Sequence, residues 1–223
     1  MRNALVTGAS SGIGEAIYEH LKLSGEFDNV YGLSRRGPDI ELDLSLLRGT
    51  SRSLFQRINE LDLLINCAGI MPLEERFTEY DILNVNFWGT YWVIKTLTEQ
   101  IFRNSLEKEI LGALYNKCII NIASVSGMKA DAELPIYAAS KAAVISLTKS
   151  LAKKWAPEVR VNCISPGFFA TNLVAEPTPT ELIHTIPMKY EEDPKRITPV
   201  VDLIWHTQYM TGANIVIDGG VSL

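Results

Sequence analysis

Cysteine is scarce in this chain, and what there is does not staple it. Cys67, Cys118 and Cys163 are odd in number, widely spaced and set in apolar runs. They read as buried thiols and give no support to a disulfide framework, a metal set or a redox pair. Histidine is equally sparse: His20, His184 and His206 have none of the mutual spacing of a ligand set, so they read as surface or structural and no metal is expected. An excess of positive charge is also missing, since 21 Lys and Arg stand against 26 Asp and Glu, giving a formal charge of −5 and a pI near 5.3. Without a basic stripe to neutralise phosphates, nucleic acid is excluded as a default partner. No apolar run approaches the roughly 20 residues that cross a bilayer, and Met1-Arg2 leads into a short strand-like run without a signal-peptide pattern. A cytoplasmic protein with no membrane partner is expected. Linkers and repeats are absent too, so 223 residues, 47% of them hydrophobic, are expected to form one α/β domain over 1–223.

What is present concentrates between Cys118 and Lys141. The apolar, β-branched run Cys118 to Ile122 has the length of a strand and ends at Ala123-Ser124; after a polar loop, Pro135 opens a helical pattern with Tyr137 and Lys141 one turn apart. A hydroxyl at a strand end, a phenol and an ammonium suit the movement of a proton on and off an oxygen. Tyrosine ionises near pH 10 in isolation, and a cation one turn away is expected to favour the phenolate. The pair alone is a weak signal, because Tyr18/Lys22 and Tyr91/Lys95 share its spacing and read as ordinary helix neighbours. Ser124, thirteen residues before Tyr137, is what sets this pair apart: the corresponding residue before Tyr18 is Leu5, and Thr78 before Tyr91 follows no strand-like run.

Near the start, Asn3 to Gly8 reads as a buried parallel strand, then Ala9-Ser-Ser-Gly12-Ile-Gly14 leads into a helical pattern. Strand, glycine turn and helix make a phosphate cradle, because the amides at a helix start face an anion. The spacing is G-x-x-x-G-x-G and departs from the common G-x-G-x-x-G; taken alone, it also suits a plain tight turn.

Together, Thr7-Gly-Ala-Ser-Ser-Gly-Ile-Gly14 with Ser124, Tyr137 and Lys141 resembles the short-chain dehydrogenase/reductase family, over nearly the whole chain. Asn66-Cys-Ala-Gly69 is similar to the family's N-N-A-G, with Cys67 replacing the second Asn; Asn86 falls at the position of its catalytic asparagine. Pro166-Gly167 with Thr171 resembles the segment bordering the nicotinamide, and Thr211-Gly212 through Gly220 its last strand and turn.

Strand-like segments near 3–7, 29–33, 40–43, 61–65, 118–122, 159–164 and 214–217 alternate with helical ones, which predicts a parallel sheet with helices on both faces. The resemblance implies a Rossmann-like, doubly wound sheet in the order 3-2-1-4-5-6-7. Between Ser34 and Ile40 stand only Arg35-Arg-Gly-Pro-Asp39; five residues span at most roughly 18 Å, too few for a helical crossover. A bare loop is expected to replace the helix between strands 2 and 3.

The resemblance also implies roles. Tyr137 is the proton donor in reduction and the base in oxidation. Lys141 holds the nicotinamide ribose and depresses the Tyr137 pKa, Ser124 bonds the substrate oxygen, and Asn86 holds a water linking Lys141 to solvent. The expected cofactor contacts are Gly8, Ser10, Ser11, Gly12, Ile13 and Gly14 at the pyrophosphate; Ser34, Arg35, Arg36, Asp43 and Leu44 at the adenosine; and Asn66, Ala68, Gly69, Tyr137, Lys141, Pro166, Gly167 and Thr171 toward the nicotinamide. An uncharged Ser34 followed by two arginines favours NADP(H) over NAD(H), since guanidinium pairs with a 2′-phosphate, although paired arginines also solvate exposed loops. The substrate is expected to be a small or medium ketone or aldehyde, or its alcohol, under a lid from Phe168 to about Arg196 that includes Pro177, with Met128 to Leu134 as another wall. Aromatic and aliphatic residues from Ile82 to Phe102 cover more of a helix than one buried face needs. The helix from Ile136 to Trp155 neighbours them, and the resemblance implies that the pair forms the interface of a homodimer or homotetramer; the alternative is a monomer in which the shortened regions repack over the surplus apolar face. The alternative function is a silent NADP-sensing regulator on the same fold, whose expected mark is loss of Tyr137 or Lys141.

Overall fold

The apolar runs form seven parallel strands: β1 (Asn3–Thr7), β2 (Asn29–Ser34), β3 (Ile40–Glu41), β4 (Leu63–Asn66), β5 (Cys118–Ile122), β6 (Arg160–Pro166) and β7 (Asn214–Ile217). This is seen in a computed structural model that describes residues 1–47, 55, 57–72, 77–98, 101, 117–173 and 178–223. Phe102 in the apolar segment and Pro177 in the expected lid lie outside the described residues. The strand order is β3-β2-β1-β4-β5-β6-β7, as the resemblance implies. The helices among the described residues are α1 (Gly12–Ser24), α2 (Glu79–Leu83), α3 (Thr90–Thr96), α4 (Pro135–Trp155), α5 (Thr180–Thr185) and α6 (Thr198–His206), with a π-helical segment, Asn84–Gly89, joining α2 to α3.

Alternation along each strand sorts side chains to the two faces. Ala4 and Val6 of β1 pack with Ile17 and Leu21 of α1 and with Val201 and Ile204 of α6, whereas Leu5 packs with Val93 and Ile94 of α3 and Leu151 of α4. Every residue of β1, β4, β5 and β6 is buried, so none of these strands has a solvated face. Side chains on both faces lock the register, and all the carboxyl ends of the strands open on one edge.

The β2–β3 connection is the expected bare loop. Asp39 folds it back: Oδ2 accepts from the Gly32 amide at 2.7 Å and from the Tyr18 hydroxyl at 2.8 Å, and Lys22 Nζ donates to that hydroxyl at 3.2 Å. Tyr18 and Lys22 are thus part of the brace that stands where a helix would pack, and not merely surface neighbours. Strand β3 stops at Glu41 instead of running to residue 43, because Asp43 accepts from the Ser45 amide at 2.9 Å and caps a 3₁₀ turn, Leu44–Leu46.

Candidate active site

The strand ends surround a cleft of about 1130 Å³. At its centre β1 turns into α1. Gly8 takes a left-handed φ of 73°, and a Cβ there would lie 2.9 Å from the Ala68 backbone. At Gly14 a Cβ would stand 2.2 Å from the Gly8 carbonyl oxygen, so only glycine lets the helix start this close to the strand. Thr7 ties the neighbouring strand end in place, its Oγ1 accepting from the Cys67 and Ala68 amides at 3.0 and 3.1 Å. Ser11 precedes α1 without a side-chain cap, which leaves the first amides of a thirteen-residue helix for an anion.

On one side of this turn, Ser34, Arg35, Arg36, Asp43 and Leu44 line the cleft. Both arginines are exposed, while Ser34 is buried and its Oγ has no partner among the described residues. A buried hydroxyl without a partner is costly, and a ligand oxygen would satisfy it. The glycine cradle and this orphaned hydroxyl together fit a dinucleotide.

On the other side stand Ser124, Tyr137 and Lys141. Ser124 follows β5 and caps a 3₁₀ turn, accepting from the Ser126 amide at 3.1 Å, and it lines the cleft beside the phenol of Tyr137. Pro135 opens α4, so Tyr137 lies in its first turn and Lys141 one turn on. Lys141 Nζ donates to the Ile122 carbonyl at 3.1 Å and lies 5.8 Å from the Tyr137 ring centroid. Both residues are buried, 5% and 4% exposed. Burial pushes the phenol up to about 12, against the lowering effect of the Ser124 hydroxyl, with Cys67 and Asp131 adding to the rise. Burial pushes the ammonium down to about 8. The expected depression of the phenol by Lys141 is therefore corrected: in the protein without cofactor, desolvation dominates and the phenol holds its proton.

Asn86 sits in the π-helical segment, a distortion often found at functional sites. Its Oδ1 accepts from the Ile70 amide at 2.8 Å, and its Nδ2 donates to the Ile70 carbonyl at 3.0 Å and the Ser140 hydroxyl at 3.1 Å. A Cβ on Gly69 would lie 3.3 Å from Lys141 Nζ and 3.4 Å from Asn86 Oδ1, so Asn86 meets Gly69 and Lys141 where these two line the cleft.

All the expected cofactor contacts line the cleft except Asn66. Its side chain is buried between strands and donates to Asn121 Oδ1 at 2.8 Å; the even spacing along β4 turns it into the layer of the sheet. Cys67, expected to be buried, is half-buried and lines the cleft, with its thiol pushed up to about 12 by burial. Of the expected walls, Lys129, Asp131, Leu134, Phe168 and Phe169 face the cleft, while Met128 is turned outward and receives a contact from Asn214 Nδ2 at 3.4 Å. Ile70, Met71, Phe77 and Val85 also line it. No spacing rule marks them, since they belong to the segments leading out of β4 and into the helix after it.

The family model described as enoyl-(acyl carrier protein) reductase matches residues 45–222. The chain is 30% identical over 253 residues to the 3-oxoacyl-(acyl-carrier-protein) reductase FabG of Aquifex aeolicus, covering 98% of this chain and 96% of that one. Against carbonyl reductase family member 4 of Danio rerio it is 29% identical over 246 residues, covering 100% and 98%. Among solved structures, the NADP active-site complex of Pseudomonas aeruginosa RhlG superposes with a TM-score of 0.81 and 28% identity, over 100% of this chain and 96% of that one. With the fold and the strand-end cleft in place, these matches define the class: the chain belongs to the short-chain dehydrogenase/reductase family of nicotinamide-dependent oxidoreductases.

Lys141 ionises near 8 when folded and at 10.5 in its ordinary state, so between these values the unfolded chain holds the extra proton and this group adds stability as pH rises. Chemical denaturation of the native protein and Lys141→Met should give a stability difference that shifts in favour of the native sequence from about pH 7.5 to 9.5. A difference independent of pH contradicts the depression.

Proposed function

We propose that residues 1–223 act as one dinucleotide-binding and catalytic domain, an NADP(H)-dependent oxidoreductase that interconverts a small or medium ketone or aldehyde with its alcohol. The observation that carries this reading is the buried phenol of Tyr137, which lines the cleft together with Ser124 and has the Lys141 ammonium 5.8 Å from its ring centroid. The nicotinamide, when bound, supplies or accepts the hydride.

The chain does the rest. Gly8, Ser10 to Gly14 and the start of α1 hold the pyrophosphate through backbone amides. Ser34, Arg35 and Arg36 take the 2′-phosphate; Asp43 and Leu44 border the adenine; Ala68, Gly69, Pro166, Gly167 and Thr171 border the rest. Lys141 holds the nicotinamide ribose. Tyr137, kept protonated at neutral pH by burial, gives its proton to the substrate oxygen as negative charge develops there, and Ser124 stabilises that charge with a hydrogen bond. In oxidation the proton moves the other way. Asn86 fixes the backbone of Ile70 beside Lys141 and holds the water through which Lys141 exchanges protons with solvent. The names of the relatives, an oxoacyl reductase and a carbonyl reductase, support reduction of a carbonyl as the cellular direction, and the NADP bound in RhlG supports the cofactor.

A second copy of the chain fits the remaining apolar face. Val93, Ile94 and Leu97 are buried against the sheet, while Trp88, 44% exposed, meets Tyr91 edge-on at 5.9 Å and stacks at 6.4 Å on Trp92, which also packs against the buried cluster. A pair of such aromatic faces suits an isologous interface. Light scattering at micromolar concentration should give a multiple of 24.8 kDa; a monomer contradicts the interface.

Turnover is tested by following NADPH absorbance with a panel of small ketones, aldehydes and β-ketoacyl thioesters. With whichever substrate turns over, Tyr137→Phe should lower kcat by about 10²- to 10⁴-fold. Unchanged turnover would overturn the assigned chemistry.

A further inference from the structure

Arg35 is exposed on the bare loop after β2, with no helix to pack it. A long side chain so placed gives up rotamer freedom before it can grip a ligand. Here its head already has a seat: Cζ lies 5.9 Å from the centroid of the Phe77 ring, within the range of a cation–π contact. Both residues line the same cleft, yet Arg35 follows β2 and Phe77 follows β4, and β1 lies between those strands in the sheet. The pair therefore reaches across the end of β1, where the glycine turn is. Phe77 is itself braced, packing against the cluster of Ile70, Ile82 and Tyr137. A cation–π contact occupies none of the guanidinium's N–H donors, so the planar fork remains available for bidentate binding of a phosphate.

We propose that Phe77 is a positioning residue for cofactor selection, holding Arg35 over the cleft in the geometry that receives the 2′-phosphate. This rests on the NADP(H) reading above. Phe77 thereby joins two parts of the site, since the ring that seats the phosphate-binding arginine also packs on the cluster behind the proton donor. Neither its distance along the chain from Arg35 nor its residue type marks it in the sequence.

The test is direct binding of NADPH and NADH to the full chain, by fluorescence titration, for the native protein, Phe77→Leu, Phe77→Tyr, Arg35→Ala and the double variant Arg35→Ala/Phe77→Leu. Leucine keeps apolar bulk against the cluster and loses the π face. Phe77→Leu should weaken NADPH binding about two- to five-fold with NADH unaffected, Phe77→Tyr should bind NADPH as the native protein does, and Phe77→Leu should add nothing once Arg35 is alanine. Equal losses for both cofactors mean a merely structural role and overturn the proposal, as do additive losses in the double variant. If Arg35→Ala weakens NADPH binding and Phe77→Leu does not, the positioning role alone falls. If Arg35→Ala leaves NADPH binding unchanged, or the native protein binds the two cofactors equally, the NADP(H) reading falls with it.

Discussion

Taking an ammonium out of water is among the more costly acts in building a protein, and the candidate site is arranged around the one at Lys141. Its charge is answered by the Ile122 carbonyl at 3.1 Å, the last residue of β5. That bond fixes the face of α4 turned toward the sheet, and with it the place of Tyr137 one turn earlier. Ser124, two residues beyond Ile122, is set by the same strand end. A Cβ at position 69 would crowd the ammonium at 3.3 Å, and the amide of Asn86 holds the adjoining backbone of Ile70. Strand, turn and helix thus converge on one buried cation.

Desolvation acts in opposite directions on the two ionisable partners. It favours the neutral phenol and the neutral amine, bringing Lys141 down to about 8 and Tyr137 up to about 12. Attraction between ammonium and phenolate would oppose both shifts, but at 5.8 Å to the ring centroid it does not overcome burial. The consequence is an acid in its protonated form across the physiological range and a lysine close enough to neutrality to exchange a proton. This division suits reduction, where the protein must give a proton.

Much of this was legible in the sequence because it is local. Strand-length apolar runs, the glycine spacing and the arithmetic of five residues between Ser34 and Ile40 placed the sheet, the cradle and the bare loop. Ser124 distinguished one Tyr-x-x-x-Lys pair from two others of identical spacing. What escaped depends on residues far apart in the chain. Asp39 gathers Gly32 and Tyr18 into a brace, so Tyr18 and Lys22 are more than helix neighbours. Phe77 meets Arg35 across β1, and the π-helical turn at Asn86 has no pattern of its own. The pKa of Tyr137 follows the same rule: helix spacing reveals a neighbouring cation, but not the burial that outweighs it. Asn66 shows the limit of a motif, since the strand's alternation turns its side chain toward Asn121 and away from the cleft.

The central claim is that burial keeps the phenol of Tyr137 protonated as the site's proton donor. Ultraviolet titration of phenolate, compared between the native protein without cofactor and Tyr137→Phe, tests it directly. The account predicts no difference between the two below about pH 11, because the buried group ionises near 12. A difference that titrates near neutral pH would contradict it.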